Sequence, residues 1–356
     1  MNSWAPFLTV FITACGLASI ITPLAGRLGL RYGIVDRPGG RRRHRGVVSR
    51  LGGVAMYLGF TIAVLISLPM RSWLPPGPLG PDPKEITRLV AVLLGSAFIF
   101  VFGLLDDRHE LSPRVLYLGQ TIAALIAIAG LVFIERVMNP FTNELTVFPW
   151  PLVLGFTLFW YVGMMNTVNF LDGLDGLAAG VAAITAAVLT VHMLREGQYS
   201  VALLPLALLG ATLGFLPYNF HPARVFMGSC GALFLGFALA ALSLVAGARV
   251  ATVLLVVGIP ILDVAWQIFS RLRRGQSISQ GDRGHLHFRL LDLGLSQRQI
   301  VGVYWGFSAA FGVLALVLSS RLYKLIAIVG LGVAALIVLS ILSRDRQEGR
   351  HKHRPS

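Results

Sequence analysis

Two adjacent carboxylates, Asp106 and Asp107, directly follow an apolar run that is long enough to cross a membrane. Uncompensated negative charge is unfavourable at a membrane edge, and paired hard oxygen ligands suit Mg²⁺ that carries a substrate phosphate. We therefore predict a catalytic and metal-binding role for this pair. The alternative is a helix end at which the two acids pair with Arg108.

A second polar cluster lies between two later apolar runs and repeats every three residues. Its members are Asn166, Asn169, Asp172 and Asp175. This spacing keeps near neighbours on one broad helical face, and the glycines at 173 and 176 leave room for a ligand to approach the backbone. Substrate binding is the predicted role of all four residues. The alternative is that they form polar contacts between helix ends.

Two histidines, His285 and His287, belong to a third polar segment. Because they are two positions apart, they would share a side on an extended loop but point in nearly opposite directions on a helix. With Asp282, Arg283 and Arg289 nearby, they form a candidate binding site for anionic oxygens. Zinc would need a third ligand that the segment does not obviously supply. An ordinary surface loop is the alternative.

Two further charged features have more open roles. Arg50 closes a basic run that begins at residue 41; the run is a topology signal and a contact for lipid headgroups, and Arg50 is in addition a candidate substrate contact. Asp263 lies within the ninth apolar run, where a charge costs about 2.5 to 3.5 kcal/mol on insertion scales. We therefore expect Asp263 to have a partner.

The composition indicates that membrane helices position these groups. Of the 356 residues, 55% are hydrophobic and 13% are charged, against about 25% charged in soluble domains, and the mean hydropathy is +0.74. These values exclude a disordered chain and argue against a soluble pair of domains. Two cysteines exclude a disulfide framework. In a membrane protein a net charge of +14 reports loop orientation, so we expect no nucleic-acid partner.

Eleven apolar runs are long enough to cross the hydrocarbon core, which takes about 20 residues. They cover residues 4–26, 51–70, 86–105, 115–134, 149–168, 174–194, 201–217, 230–247, 250–270, 300–319 and 322–342. With the N-terminus outside, 22 of the 30 lysines and arginines fall on the inner side, in agreement with the positive-inside rule. We predict an all-α, polytopic helical bundle of about 11 transmembrane helices, with one membrane domain (1–343) and a basic cytoplasmic tail (344–356). The polar clusters then share the cytoplasmic face.

Together, these motifs resemble the polyprenyl-phosphate N-acetylhexosamine-1-phosphate transferase family, integral membrane enzymes that start bacterial cell-envelope glycans on a lipid carrier. The motifs that carry the resemblance follow one another at residues 36–38 with 50–53, 103–107, 166–177, 218–220 with 226–228, and 282–287. Eleven spans resemble the branch that uses a simple UDP-sugar. The branch that transfers a MurNAc-pentapeptide typically has ten spans and three consecutive histidines, which are absent here.

The resemblance implies transfer of a sugar 1-phosphate, GlcNAc-1-phosphate being the first choice, from a UDP-N-acetylhexosamine to undecaprenyl or another polyprenyl phosphate, with release of UMP. Mg²⁺, or Mn²⁺ in its place, is the implied cofactor, and membrane lipids and a second copy of the chain in a homodimer are further partners. A multi-pass protein of the bacterial inner membrane is implied. The implied catalytic residues are Asp106 and Asp107, the substrate contacts Asn166, Asn169, Asp172, Asp175, Arg50, Arg283, His285 and His287, and the metal ligands Asp107, Asp172 and the residue at position 229.

Three positions depart from the family pattern. Ser229 stands where the family has an aspartate that contributes to Mg²⁺ binding, and a hydroxyl is a poorer ligand for this ion than a carboxylate. Phe288 replaces a histidine and removes a candidate phosphate contact. Ser49 replaces a proline that is common before the arginine of the first motif. These departures put metal affinity and turnover in question, but not the fold.

Two rival functions are kept beside the transferase. A catalytically silent family member could retain substrate binding and act as a scaffold; UDP-sugar binding without UMP release would favour it. A secondary transporter would place its acids near the bilayer midplane on broken helices with internal repeats, whereas the acids here lie mainly at inner loop ends and no repeat is visible.

Overall fold

The chain is described by a computed structural model over residues 4–37, 46–78, 82–139, 141–142, 144–245, 250–273, 275, 285–318 and 320–334. Within these residues it is a bundle of α-helices, which confirms the predicted all-α class. The helices are α1 (Ala5–Tyr32), α2 (Gly52–Met70), α3 (Glu85–His109), α4 (Pro113–Ala129), α5 (Trp150–Leu171), α6 (Leu177–Arg195), α7 (Tyr199–Asn219), α8 (Gly228–Val245), α9 (Val250–Val256), α10 (Gly258–Arg273), α11 (Leu286–Asp292) and α12 (Gln297–Val317), with a 3₁₀ turn at Arg71–Trp73. Residues 321–334 are also helical.

Most of these helices are long and apolar enough to cross a membrane. Among the described residues eight qualify, namely α1, α2, α3, α5, α6, α7, α8 and α12, and the pair α9 and α10 makes a ninth. The helix α4 is apolar but shorter, with 17 residues. The prediction of a polytopic helical membrane protein is therefore confirmed, while the number of eleven spans and their orientation stay predictions.

The ninth predicted run, residues 250–270, is interrupted. The axes of α9 and α10 differ in direction by 81° across the break at Val257. Gly258 begins α10 and Pro260 lies in its first turn. A proline has no backbone N–H and its ring clashes with the preceding turn, so a helix breaks before it. The prediction of one uninterrupted span is wrong at this point.

The helix α8 lies in the interior of the bundle. All of its residues are buried, as expected for a helix that is apolar on every side. Gly103 of α3 packs on the backbone of Ser229 and Cys230 at the start of α8, where any side chain would collide. Small residues allow this close approach of two helices. It brings the end of α3, with its two acids, against the first turn of α8.

Two short antiparallel hairpins, which the sequence does not predict, complete the described fold. One pairs β1 (Val35–Asp36) with β2 (Val48–Ser49), and the other pairs β3 (Arg136–Met138) with β4 (Leu145–Val147). The β1–β2 hairpin lies at the end of the bundle where α3 and α5 finish and where α8 begins. The β3–β4 hairpin precedes α5 and lies at the opposite end.

Candidate active site

A backbone ladder joins the β1–β2 hairpin to the segment before α8. The N–H of Phe226 donates to the carbonyl oxygen of Ser49 at 2.8 Å. Further along, the N–H groups of Gly52 and Gly53 donate to the carbonyl oxygens of Phe226 and Met227, each at 2.9 Å. The ladder therefore fixes the chain on both sides of position 50 against the start of α8.

The serine at position 49 supports the same turn through its side chain. Its Oγ accepts the N–H of Leu51 at 3.2 Å and donates to the carbonyl oxygen of Ala25 at 3.4 Å. A proline would restrain this turn through its fixed φ angle. Here the two hydrogen bonds of the Ser49 hydroxyl restrain the turn instead, so Arg50 still has a defined position.

The Asp107 carboxylate lies at the N-terminus of α8. Its Oδ1 and Oδ2 accept the N–H groups of Ser229 and Cys230 at 2.8 and 2.9 Å, and Arg50 Nε lies 3.5 Å from Oδ1. A helix N-terminus presents unsatisfied N–H groups and partial positive charge, so it favours an anion there. Asp107 thus ties α3, α8 and Arg50 together.

The glycine at position 228 makes this arrangement possible. Its φ angle is +71°, a left-handed backbone conformation that residues other than glycine rarely adopt. A Cβ atom at this position would also collide with the carbonyl oxygen of Arg50 and approach the Asp107 carboxylate. The Gly228 position is therefore required by both conformation and space.

The neighbouring Asp106 is buried but less fully engaged. Its Oδ1 accepts the N–H of Leu111 at 2.9 Å, just beyond the end of α3. The other oxygen, Oδ2, has no hydrogen-bond partner among the residues that the structure describes. Of the two acids, Asp106 has the oxygen that is more open to a ligand.

The Asp172 carboxylate lies among other charges, and it has no hydrogen-bonded partner among the residues that the structure describes. It is half-buried just after α5. Burial raises the pKa of Asp172 well above its ordinary value, and the Arg50 guanidinium opposes the rise. Three further carboxylates add to it, those of Asp36, Asp107 and Asp175. The two predicted acid clusters therefore meet around Asp172, whose described charged neighbours are three carboxylates and one guanidinium.

The fourth member of that cluster, Asp175, is paired with a residue that the sequence analysis missed. Its Oδ2 lies 2.7 Å from His221 Nδ1 and accepts the N–H of Ala223 at 3.0 Å. Arg298 at the start of α12 donates to the carbonyl oxygen of His221 through Nε and Nη2. The only available signal was the position of His221, directly after the 218–220 motif.

The two asparagines of the cluster differ in their surroundings. The Asn166 Nδ2 donates to Gln120 Oε1 at 2.7 Å and to the Val162 carbonyl oxygen at 2.8 Å. The first bond joins α5 to α4, which favours the alternative of a polar contact between helices, and the second lies within α5. In the described part of the chain, Asn169 has no hydrogen-bonded partner, so its amide is open to a ligand.

The two histidines lie side by side against the Asn/Asp cluster. His285 is extended, with φ −61° and ψ 146°, and α11 begins at the next residue. Because of this geometry the rings of His285 and His287 share a side and stack, with centroids 5.5 Å apart. The His285 ring also lies 5.3 Å from that of Phe170 on α5. The expected partner of Asp263 is present, since its Oδ2 lies 3.0 Å from His285 Nδ1.

The His287 imidazole is buried and neutral. Burial lowers the pKa of His287 to about 4, although Asp263 acts in the opposite direction. Neither ring nitrogen has a hydrogen-bond partner within the described residues. In the absence of substrate, His287 therefore offers a neutral hydrogen-bonding group and not a positive charge.

Three predicted features lie outside the described residues: Arg283 with Asp282, the basic run at 41–45, and the basic tail at 344–356. Ser229 is described, and it is buried in the first turn of α8 next to Asp107. Its hydroxyl has no hydrogen-bonded partner among the residues with described positions. Phe288 packs over Gly173 and beside the His287 ring.

A substitution at Gly173 tests the contact between the histidine segment and the Asn/Asp cluster. A Cβ atom there would lie 2.7 Å from His287 Nε2 and 3.2 Å from Phe288 Cζ. In the Gly173→Ala variant the ring must therefore move, and we expect catalytic turnover to fall about 10- to 100-fold. Gly163→Ala is the matched control, because a Cβ at this α5 position has open space around it. Equal turnover of the two variants would contradict a role for the contact.

The chain is similar to known membrane transferases over most of its length. Residues 89–247 match the family model described as glycosyl transferase family 4. A Bacillus subtilis protein described as a probable undecaprenyl-phosphate N-acetylglucosaminyl 1-phosphate transferase is 35% identical over 316 residues, which cover 87% of this chain and 84% of the relative. A Mycobacterium tuberculosis decaprenyl-phosphate N-acetylglucosaminephosphotransferase is 36% identical over 362 residues, covering 93% and 88%.

A relative whose name describes the transfer of a different sugar phosphate is also similar. The phospho-N-acetylmuramoyl-pentapeptide-transferase of Geobacillus kaustophilus is 31% identical over 327 residues, which cover 86% of this chain and 94% of the relative. The family model covers the Asp106–Asp107 pair, the Asn/Asp cluster and the start of α8, whereas Arg50 and the two histidines lie outside residues 89–247.

Proposed function

Because the chain belongs to glycosyl transferase family 4 and is a phosphotransferase, we propose that it moves N-acetylglucosamine 1-phosphate from UDP-N-acetylglucosamine to a polyprenyl phosphate. One structural observation supports this proposal most strongly. Arg50 pairs with Asp107 at one end of the bundle, and the charges of both act on Asp172. The histidine segment packs against the Asn/Asp cluster at Gly173. Such a site suits a reaction between two phosphorylated substrates.

In this reaction an oxygen of the polyprenyl phosphate attacks the β-phosphorus of the nucleotide sugar. A new phosphorus–oxygen bond forms, the bond from the β-phosphorus to the bridging oxygen breaks, and UMP leaves. The second pKa of the lipid phosphate should be about 6, by analogy with phosphoserine, so the nucleophile is largely dianionic at neutral pH. Phosphoryl transfer depends mainly on positioning and charge neutralisation, and strong general-base help is unnecessary.

The residues fit a divalent cation, and Mg²⁺ is the ion that we propose. In the described part of the chain, no three His, Cys, Asp or Glu side chains are grouped to hold a metal. Mg²⁺ does not need such a group, because it is usually bound by one or two carboxylates together with substrate phosphates and water. Asp172 would be one ligand, because its carboxylate lies among three other carboxylates. When bound, the ion supplies neutralisation of the diphosphate charge.

The remaining roles follow from how each side chain is held. Asp106 contacts the acceptor end of the reaction through its open Oδ2. Asp107 fixes Arg50 and the start of α8, and Arg50 offers its guanidinium to phosphate oxygens. Asn169 and Asp172 bind the nucleotide sugar, and His285 contacts its diphosphate.

We also propose eleven spans, with the site on the cytoplasmic side of the bacterial plasma membrane. The excess of lysine and arginine on that side supports this orientation. The first lipid-linked step of a cell-envelope polysaccharide is the corresponding process. Cysteine scanning with an impermeant thiol reagent at positions 110 and 142 tests the orientation, because these positions lie at opposite ends of the bundle. Labelling of position 110 from outside the cell would contradict it.

The function itself is tested with purified protein in lipid nanodiscs. The donors are a panel of UDP-sugars, the acceptor is a polyprenyl phosphate, and UMP release is followed with and without Mg²⁺. We expect UMP release only with UDP-N-acetylhexosamines, acceptor and Mg²⁺ together. Tight UDP-sugar binding without any UMP release would contradict the proposal and favour a scaffold.

Restoring the family's aspartate at position 229 should strengthen the response to the metal. Ser229 lies beside Asp107 at the start of α8, and a carboxylate there would add a hard oxygen ligand. In the Ser229→Asp variant we expect the Mg²⁺ concentration for half-maximal turnover to fall about tenfold, since affinity depends on ligand charge. The control is Ser229→Asn, because asparagine has the size of aspartate but no charge. An aspartate at another serine of α8, such as Ser243, is not a suitable control, because it would bury a charge deep in the helix. An unchanged Mg²⁺ response would remove position 229 from the metal site.

A further inference from the structure

The carboxylate of Asp263 makes two hydrogen bonds to the histidine segment. Its Oδ2 lies 3.0 Å from His285 Nδ1, and its Oδ1 accepts the N–H of Leu286 at 2.8 Å. Both Asp263 and His285 are buried. The carboxylate therefore caps the first turn of α11 and at the same time meets one nitrogen of the imidazole.

Asp263 lies on the buried, polar side of the helix α10. Three polar residues, Asp263, Gln267 and Arg271, are spaced by four and are all buried. Ile268, Phe269 and Leu272 are exposed, as expected for the lipid-facing side of an amphipathic helix. Because α10 starts after the 81° bend, its polar stripe faces the bundle and not the lipid.

The hydrogen-bond pattern determines where the imidazole proton lies. A carboxylate can only accept, unless it is protonated, so His285 Nδ1 must carry the proton. The other nitrogen, Nε2, has no hydrogen-bond partner among the described residues. The stacked rings of Phe170 and His287 limit rotation of the imidazole. In histidine sites, the hydrogen bond at one nitrogen sets the role of the other.

We propose that Asp263 is a positioning residue that fixes the orientation and Nδ1 proton of His285, so that Nε2 is directed to the diphosphate of the donor substrate. This inference rests on the proposed function for the identity of the ligand. To donate to a diphosphate oxygen, Nε2 must take up a second proton while Nδ1 keeps its own. The ring then carries a positive charge that the Asp263 carboxylate stabilises, and such charge-assisted bonds are about twice as strong as neutral ones. The titratable groups next to the Asp263–His285 pair are His287 and the buried Tyr304 hydroxyl.

The first measurement concerns the resting protein and needs no substrate. Ring ¹⁵N shifts of histidine-labelled protein in nanodiscs distinguish a protonated from an unprotonated nitrogen, and a His285→Gln variant identifies the His285 signal among the eight histidines. We expect Nδ1 of His285 to be protonated in the wild type. An unprotonated Nδ1 would overturn the proposal even if no variant could be purified.

The second measurement uses Asp263→Asn, which keeps the size of the side chain. Its Oδ1 still accepts the Leu286 N–H, but its NH₂ group now donates to His285 Nδ1, so the ring must move its proton to Nε2. We expect kcat/KM for the UDP-sugar to fall about 10- to 100-fold, as for other partners that orient a functional histidine, while the KM for polyprenyl phosphate stays within twofold. Ile268→Val on the exposed face of α10 is the control and should match the wild type.

The outcomes separate this proposal from the proposed function. A wild-type protein with protonated Nδ1 but no transfer would contradict the transferase function and leave the assignment of the proton intact. A protein that transfers sugar phosphate, and whose Asp263→Asn variant keeps both its ring shifts and its kcat/KM, would overturn the positioning role alone. Equal rises in the KM values of donor and acceptor would also overturn it, because they indicate a general loss of structure.

Discussion

Replacing Asp107 by asparagine is expected to lower the turnover of sugar-phosphate transfer about 10²- to 10³-fold, the usual cost of losing one preorganised charge in an active site. The carboxylate accepts two N–H groups from the start of α8 and lies 3.5 Å from Arg50 Nε. An asparagine can accept only one of these N–H groups well, because its NH₂ faces the other donor. The variant therefore loses the ion pair and displaces Arg50 from the phosphates.

The measurement is the initial rate of UMP release at saturating donor and acceptor. Asp82→Asn is the control, since it removes an acid that pairs with Arg88 at the opposite end of α3, and it should keep the wild-type rate. The thermal unfolding midpoint of each variant is measured in parallel. More than a tenth of the wild-type rate in Asp107→Asn would exclude Asp107 from the site.

The Asp172→Asn variant should lose about 100-fold in turnover and yet unfold at a higher temperature than the wild type at pH 8. Burial raises the pKa of Asp172, and its carboxylate faces three other acids against one arginine. A carboxyl with a higher pKa in the folded chain binds its proton more tightly there. The free energy of unfolding therefore falls as pH rises from the unfolded pKa, about 3.9, through the raised folded pKa. At pH 8, which is above the unfolded pKa, this difference in proton binding destabilises the fold, and asparagine removes that effect.

Scanning calorimetry or intrinsic fluorescence in detergent at pH 5 and pH 8 measures this trade-off. The midpoint difference between variant and wild type should be larger at pH 8, and added Mg²⁺ should raise the midpoint of the wild type more than that of the variant. Glu135→Gln replaces an exposed acid and should change neither quantity. A lower midpoint for Asp172→Asn at pH 8 would contradict the account of unfavourable charge around this carboxylate.

Hydropathy predicts the membrane helices well because each span must satisfy a length and an apolar composition that are both local properties of the chain. The break at Val257 escapes this reasoning, since the residues next to it on both sides are apolar. Pro260 was visible in the sequence, but a proline within an apolar run can also be accommodated as a kink. The β1–β2 hairpin escapes it too, because strands of two residues carry no periodicity.

The candidate site was predictable to the extent that its residues are chemically unusual for their place. Acids at a helix end and repeated Asn/Asp residues stand out from their neighbours in a membrane protein. The hydrogen-bond partners of these acids do not stand out in the sequence. The contact of Asp175 with His221 joins residues 46 positions apart, and that of Asp263 with His285 joins residues 22 positions apart. Only the packing of helices determines such pairs. Asn166 was predicted from its spacing alone, and its bond to Gln120 depends on the position of α4.

The most direct test of the central claim follows the phosphorus atom itself. Purified protein receives UDP-N-acetylglucosamine labelled with ³²P at the β-phosphate, a polyprenyl phosphate and Mg²⁺, and the lipid and aqueous phases are separated. We predict that the label enters the lipid phase and that one UMP is released for each labelled lipid. Label that stays in the aqueous phase as UDP, with or without sugar on the lipid, would contradict transfer of a sugar phosphate by this protein.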